Sequence, residues 1–183
     1  MGYTTEFRGS FIPNKVFTQE QTEYLNKFSD TRRMKRDTSK LILLEPKDKI
    51  KLKKYLKNNT FNGTFTFNGT YGIDGEFYIG DDETSIIDYN LQPSTQPSLW
   101  CQWVMIDGEL QWDNGEKFYF YVEWLQYIID NFLTVWDIKL NGNVEYWGER
   151  NDDFGTIYVR DNIIEVVDEY ELLKKLKQNR KNK

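Results

Sequence analysis

The sequence predicts an α+β fold in which helices pack on one face of a mostly antiparallel sheet. Short segments of alternating apolar and polar residues, separated by turn residues, are typical of strands. Two longer segments place apolar residues at helical spacing. With one internal segment set aside, these elements follow the order βαββαβ with one added strand. That order is typical of a two-layer, ferredoxin-like sandwich.

The first strand and the first helix are predicted within the opening 36 residues. Residues 3–12 alternate aromatic and β-branched with polar residues, and Pro13 ends this strand. Thr18 and Gln21 have the spacing of a capping box, in which two side chains bond the free N–H groups at a helix start. The helix is predicted over residues 19–36, because its last turn is basic and cations stabilise the negative end of a helix dipole.

Residues 38–71 are predicted to be an insertion. Pro46 precedes six lysines between Lys47 and Lys57, with apolar residues among them, which indicates a short basic helix. The pentapeptide Thr-Phe-Asn-Gly-Thr then occurs at 60–64 and again at 66–70. Because Asn-Gly is the strongest short-range signal for a β-hairpin, we expect one or two tight hairpins here.

The second half of the chain is predicted to hold an aromatic helix and the remaining strands. Asp113 and Glu116 have capping spacing and predict a helix over 116–133, which has two apolar faces and is expected to pack between layers or against a partner. An Asn-Gly pair within 136–147 is compatible either with a turn or with a continuous strand. Further strands are predicted at residues 75–80, 85–89, 99–106, 109–113, 156–159 and 163–167.

We expect one α+β domain over residues 1–170, followed by a basic C-terminal tail over 171–183. A chain of 183 residues is a usual length for one domain. Its apolar runs are shorter than the roughly 20 residues that span a bilayer, and its first residues lack the apolar part of a secretory signal. A cytoplasmic protein that does not associate with membranes is therefore expected.

Two counts exclude several classes of chemistry. The chain contains no histidine and a single cysteine, Cys101. A serine or cysteine nucleophile paired with histidine is excluded, and so is an intramolecular disulfide. A structural zinc site needs four Cys or His ligands and is excluded as well. The sequence predicts no cofactor and no metal site, and Cys101 is expected to be a buried, inert side chain.

The net charge of −5 is divided unevenly along the chain. Residues 61–170 carry 21 Asp and Glu against 4 Lys and Arg, whereas residues 1–60 and 171–183 are both basic. The simpler interpretation is that basic and acidic segments complement each other within the molecule. The alternative is a charged binding surface, since fields of this kind steer association.

The chain resembles one family in several blocks of sequence. These are the opening MGYTTEFRGSF, the TRRMKRD block, the segment from IIDYN to LWCQW, DNGEKFYFYVEWLQYII and the closing LNGNVEYWGERNDDFGTIYV. They are similar to a family of small, uncharacterised proteins of bacteria and their phages, over most of residues 1–36 and 72–165. The resemblance implies a small cytoplasmic protein encoded by a phage or a mobile element, and it carries no catalytic motif. Residues 38–70 depart from the family.

The most unusual stretch runs from Asp88 to Trp103, where a polar loop broken by prolines leads into an uncharged strand. Functional side chains are often borne on such loops. Hydrogen bonds to a ligand are expected from Asp88, Asn90, Gln96 and Gln102, while Trp100 or Trp103 stacks on it. The alternative is that the tryptophans enter the core and the polar groups bond the loop backbone.

The basic block before the insertion offers a second candidate. Arg32 and Arg33 would clamp a phosphate or a carboxylate, since guanidinium groups bind both through paired bonds. The alternative is a solvated last turn of the helix. Binding of nucleic acid is not expected, because the acidic middle of the chain repels phosphates. The carboxylates of Glu116 and Glu149 are the candidates for a glycosidase-like pair, but their spacing does not select them over the other acids.

Our leading hypothesis is a non-enzymatic interaction protein. It would be an accessory factor of a phage or mobile element that binds a host protein and inhibits it, for example in countering a defence system. The alternative hypothesis is a small-ligand protein that binds a nucleotide in the aromatic and polar pocket. A second copy of the chain is left open as a further partner, and an enzyme is the third hypothesis.

Overall fold

The structure is a computed structural model, and it describes residues 2–42, 71–80 and 82–181. The chain divides into two compact units. The sheet unit combines Met1–Val16 with Gln102–Lys183, and the loop unit is Phe17–Cys101. The predicted single domain over 1–170 stays a prediction. The predicted basic helix and hairpins of the insertion lie outside the described residues.

The sheet unit is built on six antiparallel strands in the order β4-β5-β1-β6-β7-β8. All five neighbouring pairs are antiparallel. Long strands of alternating burial form its centre, because one face is packed and the other is wet. The strands are β1 (Thr5–Pro13), β4 (Trp103–Ile106), β5 (Glu109–Trp112), β6 (Leu140–Gly148), β7 (Phe154–Arg160) and β8 (Ile163–Asp168).

The predicted α+β class is confirmed, whereas the ferredoxin-like arrangement is not. In the structure β1 lies between β5 and β6. The segment 75–80, predicted as a strand, is instead a 3-10 turn at Ile73–Gly75 followed by irregular chain. The segment 85–89 supplies only the short strand β3 (Ile86–Asp88), which pairs with β2 (Lys35–Arg36). Neither segment contributes to the six-stranded sheet, so the two strands that the predicted βαββαβ order places between its helices are absent from that sheet.

The aromatic helix is shorter than predicted. Helix α3 spans Tyr121–Ile128 and continues as a π-helical turn at Ile129–Leu133. The predicted start at Glu116 is wrong: Asp113 accepts the backbone N–H of Gly115 instead of capping a helix, and Phe120 has a left-handed φ of 57°. Residues inside a right-handed α-helix have a negative φ, so the regular helical turns begin after Phe120.

The core of the sheet unit is a cluster of aromatic rings around Phe7. Its ring lies 5.7 Å from that of Trp103, 5.4 Å from Trp112 and 4.8 Å from Tyr121, all in edge-to-face geometry. Phe118 also packs edge-on against Trp103 at 5.4 Å. Edge-to-face pairs place the positive rim of one ring against the negative face of another, which adds to the gain from burial.

Two sites in the sheet show how glycine and asparagine set the path of the chain. The Asn141-Gly142 pair lies inside the continuous strand β6 and makes no turn. A Cβ at Gly142 would stand 2.6 Å from the backbone oxygen of Ser10, so the close approach of β1 requires glycine. The predicted turn at Asp161-Asn162 is confirmed, with positive φ at both residues joining β7 to β8.

The loop unit contains two of the four helices in the described residues, α1 (Gln19–Asp30) and α2 (Thr38–Ile42). The capping box of Thr18 and Gln21 is confirmed. The helix ends at Asp30 rather than at residue 36, because Thr31 has extended backbone geometry and the basic block continues as an irregular segment.

The fourth helix, α4 (Glu169–Lys181), follows β8 directly and includes most of the predicted basic tail over 171–183. Its start contacts β7, where Thr156 donates to Glu169 and the rings of Phe154 and Tyr170 meet edge-on. Within the described parts of the chain, no helix combines the length and the apolar character needed to cross a membrane.

Candidate interaction surface

The basic block 32–36 lies between two parts of the polar loop of the loop unit. The backbone N–H of Arg33 donates to the carbonyl of Leu99 at 2.8 Å, and that of Lys35 donates to the carbonyl of Leu91 at 2.7 Å. The block is therefore hydrogen-bonded both to chain that follows β3 and to chain that precedes Cys101. It brings together loop segments that are distant in sequence.

Arg33 is the buried anchor of this arrangement, with only 2% of the residue exposed. Its Nη2 donates to the carbonyl of Glu76 at 2.6 Å, its Nη1 to that of Tyr78 at 2.9 Å and its Nε to Gln96 Oε1 at 3.3 Å. The guanidinium carbon also lies 4.1 Å from the centre of the Phe28 ring on α1. A planar fork of donors suits several converging carbonyls, which a lysine could not satisfy.

Gln96 and Glu76 complete the buried network below the loop. Gln96 Nε2 donates to the carbonyl of Glu76 at 2.7 Å. The Glu76 carboxylate accepts from Thr95 Oγ1 at 2.5 Å and from the N–H of Ile73 at 3.0 Å. Because buried polar groups are costly unless they are hydrogen-bonded, this network fixes one conformation of the loop.

Arg36 is a second buried anchor. Its guanidinium carbon stacks 4.2 Å above the centre of the Tyr78 ring, and Nη1 donates to the carbonyl of Asp82 and, at 2.9 Å, to Ser85 Oγ. The carboxylate of Asp82 accepts from Thr84 Oγ1 at 2.7 Å and from the N–H of Ser85 at 2.9 Å. Arg36 therefore holds the turn that leads into β3.

Acid is expected to loosen this turn. Burial alone would raise the pKa of Asp82, but the hydrogen bonds from Ser85 and Thr84 outweigh it and lower the pKa from 3.8 to about 2. A lowered pKa contributes stability above pH 3.8 that is lost as the pH falls through about 2. Carbonyl NMR of the Asp82 carboxyl should follow this titration. A midpoint at or above 3.8 would contradict the geometry of the turn.

We call four residues in or beside these hydrogen-bonded segments the patch: Arg32, Tyr89, Leu91 and Trp100. Tyr89 is 53% exposed, Leu91 46% and Trp100 42%. Arg32 Nε donates to the carbonyl of Tyr89 at 3.1 Å, which fixes the guanidinium beside the ring-bearing segment. Rings with an arginine on a rigid support are the side chains that dominate binding energy at protein interfaces.

The loop carries the remaining polar residues at the border of the patch. Arg32 Nη2 donates to Asn90 Oδ1 at 3.3 Å, and the backbone N–H of Asn90 donates to Asp88 Oδ1 at 2.8 Å. Six residues predicted from the sequence therefore lie in the loop unit: Arg33 and Gln96 inside it, and Arg32, Asp88, Asn90 and Trp100 toward its surface.

The other two predicted residues belong to the sheet unit. Gln102 accepts from Trp112 Nε1 at 3.1 Å and donates to the carbonyl of Glu116 at 2.9 Å. Trp103 is fully buried, and its Nε1 donates to the carbonyl of Tyr121 at 2.8 Å. Both side chains bond to neighbouring parts of their own unit.

Sequence reasoning missed Tyr89 and Leu91, although both are apolar residues inside a polar loop. The available signal was that both alternate with the polar residues Asp88, Asn90 and Gln92. Apolar side chains in a polar loop are expected to pack against the fold or to bind a partner. It also missed Arg36 as an anchor. The basic block has no periodic pattern of apolar residues. The sequence therefore could not distinguish the buried Arg33 and Arg36 from the partly exposed Arg32.

The sheet unit holds a small group of linked titratable residues, in which the backbone N–H of Arg150 donates to the Tyr3 hydroxyl. Tyr3 donates to Asp153 at 2.5 Å, and Arg150 pairs with Asp152 at 2.7 Å. Burial and the bond to Asp153 raise the pKa of Tyr3. Among the described residues, no group of three or more Cys, Asp or Glu side chains is placed to hold a metal ion. Cys101 is buried, as the sequence predicted.

Comparison with family models, with curated proteins and with solved structures finds no match to this chain. The resemblance to bacterial and phage proteins therefore stays a prediction.

Proposed function

We propose that this protein is a non-enzymatic interaction protein that binds another protein through the patch. One observation carries the proposal. Tyr89, Leu91 and Trp100 are each about half exposed, and they lie in or beside loop segments that are hydrogen-bonded to the basic block. The buried Arg33 of that block donates to three oxygens of the same unit. A protein loses little entropy on binding when its contact residues are already held in place.

The composition of the patch favours a protein partner that presents an apolar side chain beside a carboxylate. The two rings and Leu91 supply apolar area, and Arg32 supplies the only cationic group among the four residues. Carboxylates bind guanidinium groups through short, charge-assisted bonds. Trp, Tyr and Arg are enriched at the energetic centre of protein interfaces, whereas lysine and acidic residues are depleted there.

The proposed partner is a protein of the host cell, and the chain would act as an accessory factor of a phage or mobile element that inhibits it. The resemblance of several sequence blocks to phage and bacterial proteins, itself a prediction, motivates this part of the proposal. A cytoplasmic location follows from it.

The alternative of a nucleotide-binding protein keeps fewer of its residues. It requires an aromatic face for the base and arginines for the phosphate. Trp103 is buried and Arg33 donates to three oxygens of its own chain, so Trp100 and Arg32 are the residues left for this role. Addition of millimolar nucleotide is therefore expected to leave the melting temperature unchanged. A rise of several degrees would favour the alternative.

Exchange of Trp100 for alanine is expected to abolish capture of the partner. Tryptophans at the energetic centre of an interface contribute about 2–4 kcal/mol, which corresponds to a loss in affinity of roughly 30-fold or more. The measurement is affinity capture from host lysate with wild type, Trp100→Ala and Arg32→Ala, followed by titration of the captured protein against each variant.

Val16→Ala is the matched control, since among the large apolar residues that the structure describes this one is the most exposed and lies outside the patch. We expect it to bind as the wild type does. The proposal is wrong if the captured protein binds Trp100→Ala and Arg32→Ala as tightly as it binds the wild type.

A further inference from the structure

Strand β8 ends the six-stranded sheet on the side opposite to β4. Its sequence, IIEVVD, is mostly β-branched and contains neither proline nor lysine. Natural edge strands usually carry proline or lysine, or are covered by another element, because their free N–H and C=O groups are a template for another strand. Ile163 is 73% exposed and Val166 43%. Within the described residues, this edge is ready to pair.

The hairpin geometry defines which backbone groups of β8 point outward. Asp161 and Asn162 form a two-residue turn, and such a turn is closed by a hydrogen-bonded pair, here Arg160 and Ile163. Bonded and non-bonded pairs alternate along antiparallel strands. The N–H and C=O groups of Ile164, Val166 and Asp168 therefore point away from β7.

We propose that β8 pairs with β8 of a second copy of the chain, in an antiparallel register centred on Val166. In this register Val166 lies opposite its own copy, and Ile164 lies opposite Asp168. Every outward-pointing residue then bonds to an outward-pointing residue. The two sheets continue into one another across a two-fold axis, which is the symmetry of most dimers.

Electrostatics select this register over its neighbours. A register centred on Glu165 would place two carboxylates directly opposite each other, which destabilises a strand pair. Centred on Val166, the register places Glu165 opposite Val167 instead. A shift in the other direction moves the partner of Ile164 beyond the end of the strand at Asp168.

Helix α4 is complementary in charge to a second copy of itself. Its first turn carries Glu169 and Glu171, and its later part carries Lys174, Lys175 and Lys177. A two-fold axis applies the same order of charges to both copies. Contact of the two helices in opposite directions would place the acidic start of each beside the basic part of the other, where opposite charges attract.

The same helix supplies apolar area that a strand pair alone lacks. Leu172, Leu173 and Leu176 are each about half exposed. Stable interfaces bury roughly 1,200–2,000 Å² in total, more than one pair of edge strands provides. Both copies of α4 begin on the face of the joined sheet that carries Phe154 and Thr156. Burial of the leucines against the second copy extends the interface on that face.

Sedimentation of the full chain tests the dimer. The wild type is expected at twice its mass of 22.0 kDa. Val166→Pro removes one outward N–H, and proline is tolerated where that group faces solvent, so the variant should fold and sediment as a monomer. Val166→Arg, which keeps the N–H and places like charges opposite each other, should do the same if the proline variant does not fold. Val135→Arg, at another exposed apolar position, should remain dimeric.

A cysteine pair tests the register. In Val166→Cys the two Cα atoms lie about 5.5 Å apart across the axis, which is within reach of a disulfide. In Ile163→Cys the two sites are separated by about 20 Å, since six residues at ~3.4 Å each lie between them along the strands. Mild oxidation should therefore cross-link the first variant and leave the second unlinked.

Three results would overturn the proposal. They are a wild type that sediments as a monomer at high micromolar concentration, a folded Val166→Arg variant that stays dimeric, and cross-linking of Ile163→Cys as fast as that of Val166→Cys. None of these results bears on the patch, which belongs to the loop unit.

Discussion

Replacing Arg33 with methionine is expected to lower the free energy of unfolding by about 3–5 kcal/mol. The guanidinium donates to the carbonyls of Glu76 and Tyr78 and to Gln96 Oε1. Methionine keeps much of the apolar stem but removes one donor from each of these three acceptors, of which the Glu76 carbonyl keeps the bond from Gln96. A buried acceptor that loses a hydrogen bond costs about 1–3 kcal/mol. Urea denaturation followed by tryptophan fluorescence measures the change.

Arg32→Met is the matched control, because the neighbouring side chain lies at the surface. It donates to Tyr89 and Asn90 at the edge of the patch, and we expect its loss to change stability by less than about 1 kcal/mol. Equal effects of the two substitutions would contradict the assignment of one arginine to the scaffold and the other to the patch.

The contrast between these two neighbours shows why the candidate surface could be predicted only in part. The sequence singled out the basic block and the Asp88–Trp103 stretch, and the structure joins the two through backbone hydrogen bonds. It could not show that Arg33 is buried, because burial there depends on carbonyls supplied by residues 76–78, more than forty positions along the chain. Residues 31–34 form no regular element, so no periodic pattern in the sequence distinguishes the partly exposed Arg32 from the buried Arg33.

The sheet was predicted more successfully where signals are local. The first strand, the turn at Asp161-Asn162 and the capping box at Thr18 depend on neighbouring residues, and all three are confirmed. The strand order was not, because it depends on which strands pair across long separations. The helix start at Glu116 failed for a different reason: Asp113 bonds the nearby Gly115 N–H, a local alternative with the same sequence signature as a cap.

We expect substitutions of the two tryptophans of the LWCQW block to have different effects, as with Arg32 and Arg33. Loss of Trp103 should lower stability, and loss of Trp100 should weaken binding. Trp103→Ala should lower the free energy of unfolding by about 3–5 kcal/mol, as large-to-small changes of buried aromatics do. The indole is fully buried, packs edge-on against Phe7 and Phe118, and donates to the carbonyl of Tyr121 in the first turn of α3. Its loss removes both the ring contacts and that bond.

Trp103→Phe isolates the second contribution, since it keeps a ring in the cluster and removes the N–H donor. We expect its free energy of unfolding to lie between those of the wild type and Trp103→Ala, as measured by the same urea denaturation. Trp100, three residues earlier, is 42% exposed in the wild type. Trp100→Ala should therefore change the free energy of unfolding by less than about 1 kcal/mol, while it abolishes binding through the patch. If Trp100→Ala destabilises the fold as much as Trp103→Ala does, this ring is part of the core, and the patch loses its central residue.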